Sequence, residues 1–179
     1  IGFINIADSC SGIPIGFLSI VRNGYHKIEI STDEVLAYNV ALRMGVHKFH
    51  NLFGVSTNFK GGSGFAWSYS YGIGTSFKLH KKLYLDLDLI SAQLNADSHA
   101  AYLSLNNRLN ISLDWQIAKN VSLAFGPSIN SYVVDNRLYD QSAVYRNLGR
   151  GYPSFFYSPG ESNIDARSWI GWKAAIRFL

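Results

Sequence analysis

The side chains with most scope for chemistry are five histidines, one cysteine and a scatter of carboxylates and hydroxyls. His47 and His50 stand at i and i+3, a metal spacing on a helix that puts them on opposite faces of a strand. Cys10 is alone, which excludes a disulfide framework and a Cys-based metal cluster. No metal ligand and no cofactor is assigned. Asp97, Ser98 and His99 supply the residue types of a nucleophilic triad, but chain neighbours in a loop cannot form one by themselves. Gly61, Gly62, Ser63 and Gly64 lack the lysine and flanking pattern of a phosphate loop and read as a flexible connection. No catalytic residue is assigned.

The other ionisable residues follow a clearer rule. Lys27, Glu29, Arg43, Lys78, Asp86, Asp88, Arg108, Asp114, Lys173 and Arg177 all lie in stretches where polar and apolar residues alternate, each on the polar parity. Acids and bases sharing one face can pair across strands, and a buried charge is tolerated only when paired. The chemistry expected of this set is structural neutralisation of a polar interior.

Composition narrows what can present such a face. Hydrophobic residues make up 47% and charged residues 16% of the chain, against the roughly 25% charged usual in soluble domains. An aromatic content of 15% excludes disorder. No run of about 18 apolar residues exists, so a transmembrane helix is excluded. The net charge of +4 is carried by dispersed lysines and arginines with Lys81-Lys82 as the one adjacent pair, so no nucleic-acid stripe is present.

From Ala101 to Ile117 the odd positions include Leu103, Leu105, Leu109, Ile111, Leu113 and Trp115, while Ser104, Asn106, Arg108, Asn110, Ser112, Asp114 and Gln116 take the even ones. Helix faces recur every three to four residues, so this period of two is a strand. Similar sorting runs through Phe65–Leu79, Leu83–Ile90, Val121–Asn130, Leu36–Met44, Ile170–Phe178 and, less cleanly, Phe49–Ser56, with a short first strand at Tyr25–Ser31. That makes eight. Tight turns fall at Gly45, at His80–Lys82 and at Ala118–Asn120. Longer loops fall at Lys60–Gly64, Asn95–Ala100 and over about thirty residues from Asp135 to Asp165; the link at Thr32–Glu34 is short.

Bulky Phe, Trp, Tyr and Leu fill the apolar rows, and small Gly, Ala, Ser and Asn dominate the polar ones. A narrow eight-stranded cylinder has room for the second set only. The expectation is an all-β, eight-stranded antiparallel up-and-down transmembrane β-barrel with apolar rows toward lipid. Short turns at one end and long loops at the other match outer-membrane barrels, whose turns are periplasmic. A soluble lipocalin-like ligand-binding barrel is the alternative of opposite polarity.

Two resemblances follow from particular residues. The tail Trp169-Ile170-Gly171-Trp172-Lys173-Ala174-Ala175-Ile176-Arg177-Phe178-Leu179 resembles the C-terminal assembly signal of bacterial outer-membrane barrels through Gly171, Trp172, Ile176 and Phe178, with the aromatic penultimate instead of final. The resemblance implies recognition by the barrel-assembly machinery. Near the start, Ile1-Gly2-Phe3-Ile4-Asn5-Ile6 recurs as Ile15-Gly16-Phe17-Leu18-Ser19-Ile20, a period of fourteen. This segment, with Gly24-Tyr25-His26 and Ile28-Glu29-Ile30-Ser31, resembles the surface-repeat-containing outer-membrane proteins of Bacteroidetes. The expected division is a repeat stub over 1–23, with further copies upstream or packing against the barrel, and a barrel over 24–179.

The resulting functional expectation is a non-enzymatic membrane anchor or surface interaction protein of a Gram-negative outer membrane, with long loops extracellular and termini periplasmic. Its partners would be outer-membrane lipids and lipopolysaccharide, and a protein at the long loop or the N-terminal segment. In the long loop Arg137, Tyr139, Arg146, Arg150, Tyr152, Phe155, Phe156 and Tyr157 combine arginine with aromatics, the composition of binding hot spots. Some eight-stranded outer-membrane barrels modify lipid A, which makes His99, His47, His50 and His80 the residues to weigh for that alternative. An accessory subunit of a larger envelope complex is a further one.

Overall fold

The computed structural model describes residues 4–7, 18–21, 24–58, 65–96, 103–135, 147–158 and 164–178. Eleven strands follow in chain order: β1 Ile4–Ala7, β2 Leu18–Val21, β3 Tyr25–Asp33, β4 Tyr38–Val46, β5 Phe49–Thr57, β6 Ala66–His80, β7 Leu83–Ala96, β8 Ser104–Ala118, β9 Val121–Asp135, β10 Ser154–Ser158 and β11 Ile164–Phe178. Strands β3 to β9 pair antiparallel with their sequence neighbours, and β11 joins β9 to β3. The sheet therefore closes as an eight-stranded barrel in which every strand has a neighbour on both sides over the shared span.

The tilt follows from the pairing register. From Ile28, partners run around the wall through Leu42, Phe53, Tyr71, Ser91, Asn107 and Ser131 to Ser168 on β11. The residue of β11 that faces Ile28 is Phe178, ten positions further on. A stagger of ten over eight strands, with ~3.3 Å rise and ~4.8 Å strand spacing, inclines the strands by about 40° to the axis.

Burial follows the alternation. On β9 the pattern is strictly in and out from Ser122 to Asn130. Phe125 is 63% exposed and Val55 61%, whereas Asn106 and Asn130 are fully buried. Along β6 the outward row Tyr69, Tyr71, Ile73, Thr75, Phe77 and Leu79 spans ten residue rises, roughly 25 Å at this tilt. Tyr38, Tyr69 and Trp172 lie toward one end of the exposed apolar band, and Trp115 and Phe77 toward the other. A band about 25 Å tall flanked by aromatics is the dimension of a bilayer-spanning barrel.

Three features depart from the alternation. Leu36, read as the first outward residue of its strand, lies in the β3–β4 connection and is buried; its amide donates to Asp33 Oδ1 at 2.9 Å. The long loop contains an element that its unpatterned sequence does not announce. Strand β10 pairs with the upper part of β11, above the point where the short β3 ends, as a ninth strand outside the closed ring. Finally, β1 and β2 form a parallel pair in which Ile4 faces Leu18 and Ala7 faces Val21. Each residue thus pairs with the one fourteen positions on, the period of the sequence repeat. Val21 is buried, and its carbonyl accepts from Gly24 N at 2.8 Å.

Candidate functional site

Stagger and alternation bring charges from five strands into one layer of the lumen. Arg43 on β4 is fully buried and donates bidentately to Asp88 on β7, both bonds at 2.8 Å. It also donates to Glu29 Oε2 on β3 at 3.0 Å. Arg177 on β11 donates through Nε to the same Glu29 oxygen at 2.7 Å and through Nη1 to Asp114 Oδ2 on β8 at 2.6 Å. It pairs with Asp86 as well. Lys173 Nζ lies 2.6 Å from Glu29 Oε1. At the turn side of this layer Lys27 reaches Ser122 Oγ at 3.0 Å and Asp114 at 3.4 Å. Buried planar Arg–carboxylate forks are the geometry in which desolvated charges are best compensated.

His50 on β5 joins the same layer, with Nε2 2.7 Å from Arg43 Nη2. The same ring nitrogen lies 3.3 Å from Asp88 Oδ1, so His50 sits against both members of the Arg43–Asp88 fork. Space for the contact comes from Gly74 on β6, where a Cβ would collide with both Asp88 and the His50 ring.

A second level lies nearer the loop end. Arg108 on β8 pairs with Asp33 at the end of β3. Glu34 projects from the β3–β4 connection into the wall. It accepts from Asn130 Nδ2 at 2.7 Å, Ser128 Oγ at 3.2 Å, Trp169 Nε1 at 3.2 Å and the backbone amide of Trp172 at 2.8 Å. That amide stands between the stretch of β11 paired with β3 and the stretch bordered by β10, where Ile170 N donates to Pro153 O at 3.0 Å. The Glu34 carboxylate thus takes the place of a strand at the seam. Gly171 makes room for it, since a Cβ there would fall on the carboxylate.

Above this level the lumen turns apolar. Ala92, Leu94, Ala96, Tyr132, Val134 and Trp169 pack with Leu148 from the long loop, and Val35 and Tyr152 lie against them. Arg167 Nη1 donates to Leu148 O at 3.0 Å, tying the loop to β11.

Nine of the ten charges read from the polar parity lie in these inner layers: Lys27, Glu29, Arg43, Asp86, Asp88, Arg108, Asp114, Lys173 and Arg177. Lys78 differs, because it shares the parity but stands exposed near the end of β6, beyond the charged layer. Asp33, Glu34 and His50 are inner residues outside the set read from the sequence. Asp33 continues the inward parity of Glu29 and Ser31 but lies in the stretch that the sequence reads as a link, Glu34 follows the end of β3, and the parity of His50 is that of the inner row only once Gly54 and Ser56 fix the phase of β5.

Trp172 and Phe178 are exposed on the outer face of β11 with Ile176 half-buried beside them. Arg150, Phe155 and Phe156 are exposed, and Tyr152 is half-buried on the apolar cluster. Tyr157 belongs to β10. Arg137, Tyr139 and Arg146, like Asp97, Ser98 and His99, lie outside the described residues. His50 is sealed in the lumen and His47 stacks on Tyr84 at the turn end, ring centroids 5.2 Å apart. No group of metal-ligating side chains occurs among the described residues.

Neither family models nor curated proteins match the chain. Among solved structures it is similar to the Yersinia pestis outer membrane protein Ail in a phospholipid bilayer nanodisc, at 12% sequence identity over 87% of this chain and 100% of that one, with a TM-score of 0.42.

Proposed function

We propose that this protein spans the outer membrane of a Gram-negative bacterium as a closed, non-enzymatic barrel that anchors an interaction surface at its loop end. The observation that carries the reading is the inverted polarity of the wall. Large apolar side chains form an exposed band of membrane thickness, and the ionised side chains are paired inside. In water such an exterior would be an aggregation surface. In a bilayer it is the low-energy arrangement, because lysine or arginine facing lipid at mid-depth costs about 2–4 kcal/mol each.

The two inner charge levels and the apolar cluster above them occupy the lumen along its length, which supports an anchor over a conduit. Orientation follows from connection length, with the two-residue turns toward the periplasm and the long loop outside. At the loop end Phe155 and Phe156 are exposed on β10 with Arg150 nearby in sequence, the chemistry of an interface anchor. Folding of the purified chain into phosphatidylcholine vesicles tests the reading: a heat-modifiable band on unheated gels and protease cleavage confined to the loop end are expected. A monodisperse protein that needs no detergent would overturn it. Lipid A from cells with and without the protein, compared by mass spectrometry, should be identical; a difference would establish the enzymatic alternative.

A further inference from the structure

At the turn end the barrel rim is stepped. Strand β5 starts at Phe49, level with the middle of β6, and its last pairing there is His50 with Gly74. The β6–β7 hairpin continues past it to a turn at Lys81-Lys82. The β4–β5 turn is tied to this longer neighbour by the bond from Ser76 N to His47 O at 2.7 Å and by the His47 ring stacked on Tyr84. The step leaves a cleft of about 700 Å³ lined by His47, Lys48, Thr75, Phe77, Lys78 and Tyr84, within the range of roughly 300–1,000 Å³ typical of ligand sites.

Charge and shape at this cleft are both lopsided. Each of the three turns, 47–48, 81–82 and 119–120, carries lysine and none carries a carboxylate. Among the described residues Lys48, Lys78, Lys81 and Lys82 form no ion pair, in contrast to the lysines of the lumen. Thr75 borders the cleft and also an apolar groove that climbs the outer wall past Phe49, Leu87, Ile73 and Leu89. A cationic mouth at the edge of the apolar band, meeting an apolar groove at Thr75, has the outline of one phospholipid.

We propose that this cleft is a binding site for an anionic phospholipid of the turn-side leaflet, its phosphate against Lys48 and Lys78 and one acyl chain in the groove past Thr75. The site rests on the bilayer-spanning reading above. Free phosphate would satisfy the lysines but not the groove, and a zwitterionic lipid would fill the groove while bringing its own cation to a mouth that is already positive.

The test uses the full chain refolded in dodecyl maltoside micelles, with amide resonances of His47, Lys48, Thr75 and Phe77 followed during titration. Dihexanoyl-phosphatidylglycerol should shift these resonances saturably, at a half-point at least about five-fold below that of dihexanoyl-phosphatidylcholine. Lys48→Gln with Lys78→Gln should raise the phosphatidylglycerol half-point by about five-fold or more, and Lys119→Gln should leave it unchanged. Thr75→Phe, which blocks the groove, should weaken the lipid without altering any response to inorganic phosphate. Equal half-points for the two lipids in a folded barrel, an unaffected double variant, or the same shifts with inorganic phosphate at the same concentrations would each overturn this site alone. A chain giving no dispersed barrel spectrum would overturn the bilayer-spanning reading and the site with it.

Discussion

Glu29 holds together the densest part of the lumen, and neutralising it should cost more than any other single isosteric change there. Its Oε1 faces Lys173 Nζ at 2.6 Å, and its Oε2 accepts from Arg43 at 3.0 Å and Arg177 at 2.7 Å. In Glu29→Gln, Arg43 keeps its fork to Asp88, and Arg177 keeps Asp86 and Asp114. Lys173 keeps no carboxylate partner among the described residues. One buried ammonium is left uncompensated, which costs about 3–5 kcal/mol, two to three and a half orders of magnitude in the folding equilibrium at roughly 1.4 kcal/mol per tenfold. Adding Lys173→Met removes the orphaned charge, so the double variant should be more stable than the single by about 2 kcal/mol or more, since exchanging a whole buried pair for apolar groups is often near neutral. Urea unfolding in short-chain phosphatidylcholine vesicles, followed by tryptophan emission, reads both quantities. A single variant within about 1 kcal/mol of the parent, or a double variant no better than the single, would refute the pairing argument.

Leu87 pairs with Thr75 and Ile111 on the outer face near the middle of the apolar band, and Leu87→Arg should lose about 2–4 kcal/mol in the same assay; a silent substitution would mean that the outer face does not meet lipid. Gly171→Ala should displace the Glu34 carboxylate from the seam and leave the Trp172 amide and Trp169 indole without their acceptor, at about 1–3 kcal/mol. Faster exchange of the Trp172 amide should accompany that loss, and unchanged exchange would contradict the role given to Glu34.

Much of the barrel was legible because a strand in a closed wall has only two faces, so parity alone sorts residues such as Asp114 from Leu113. The repeat was legible for a related reason: parallel stacking in register returns the same residue type at the same height, and the Ile4–Leu18 pairing is the fourteen-residue period in space. Partnerships were not legible. That Arg43 meets Asp88, forty-five positions away, depends on a stagger set jointly by every turn. Lys78 shows the limit of parity, since height along the axis decides whether an inward row is covered or open at the rim. β10 escaped because Ser-Phe-Phe-Tyr-Ser has no alternation, and its pairing exists only because β3 is short enough to expose the upper edge of β11.

Nitroxide labels placed singly along Leu105 to Ile117 in lipid vesicles, with Cys10 replaced, report most directly whether the apolar rows meet hydrocarbon. Relaxation by oxygen should peak at Leu109, Ile111, Leu113 and Trp115 and collapse at Asn110, Ser112 and Asp114, with a water-soluble nickel reagent failing to reach the first set. Strong nickel accessibility at Leu109, Ile111 and Leu113, or equal oxygen accessibility on both parities, would contradict a lipid-facing apolar wall.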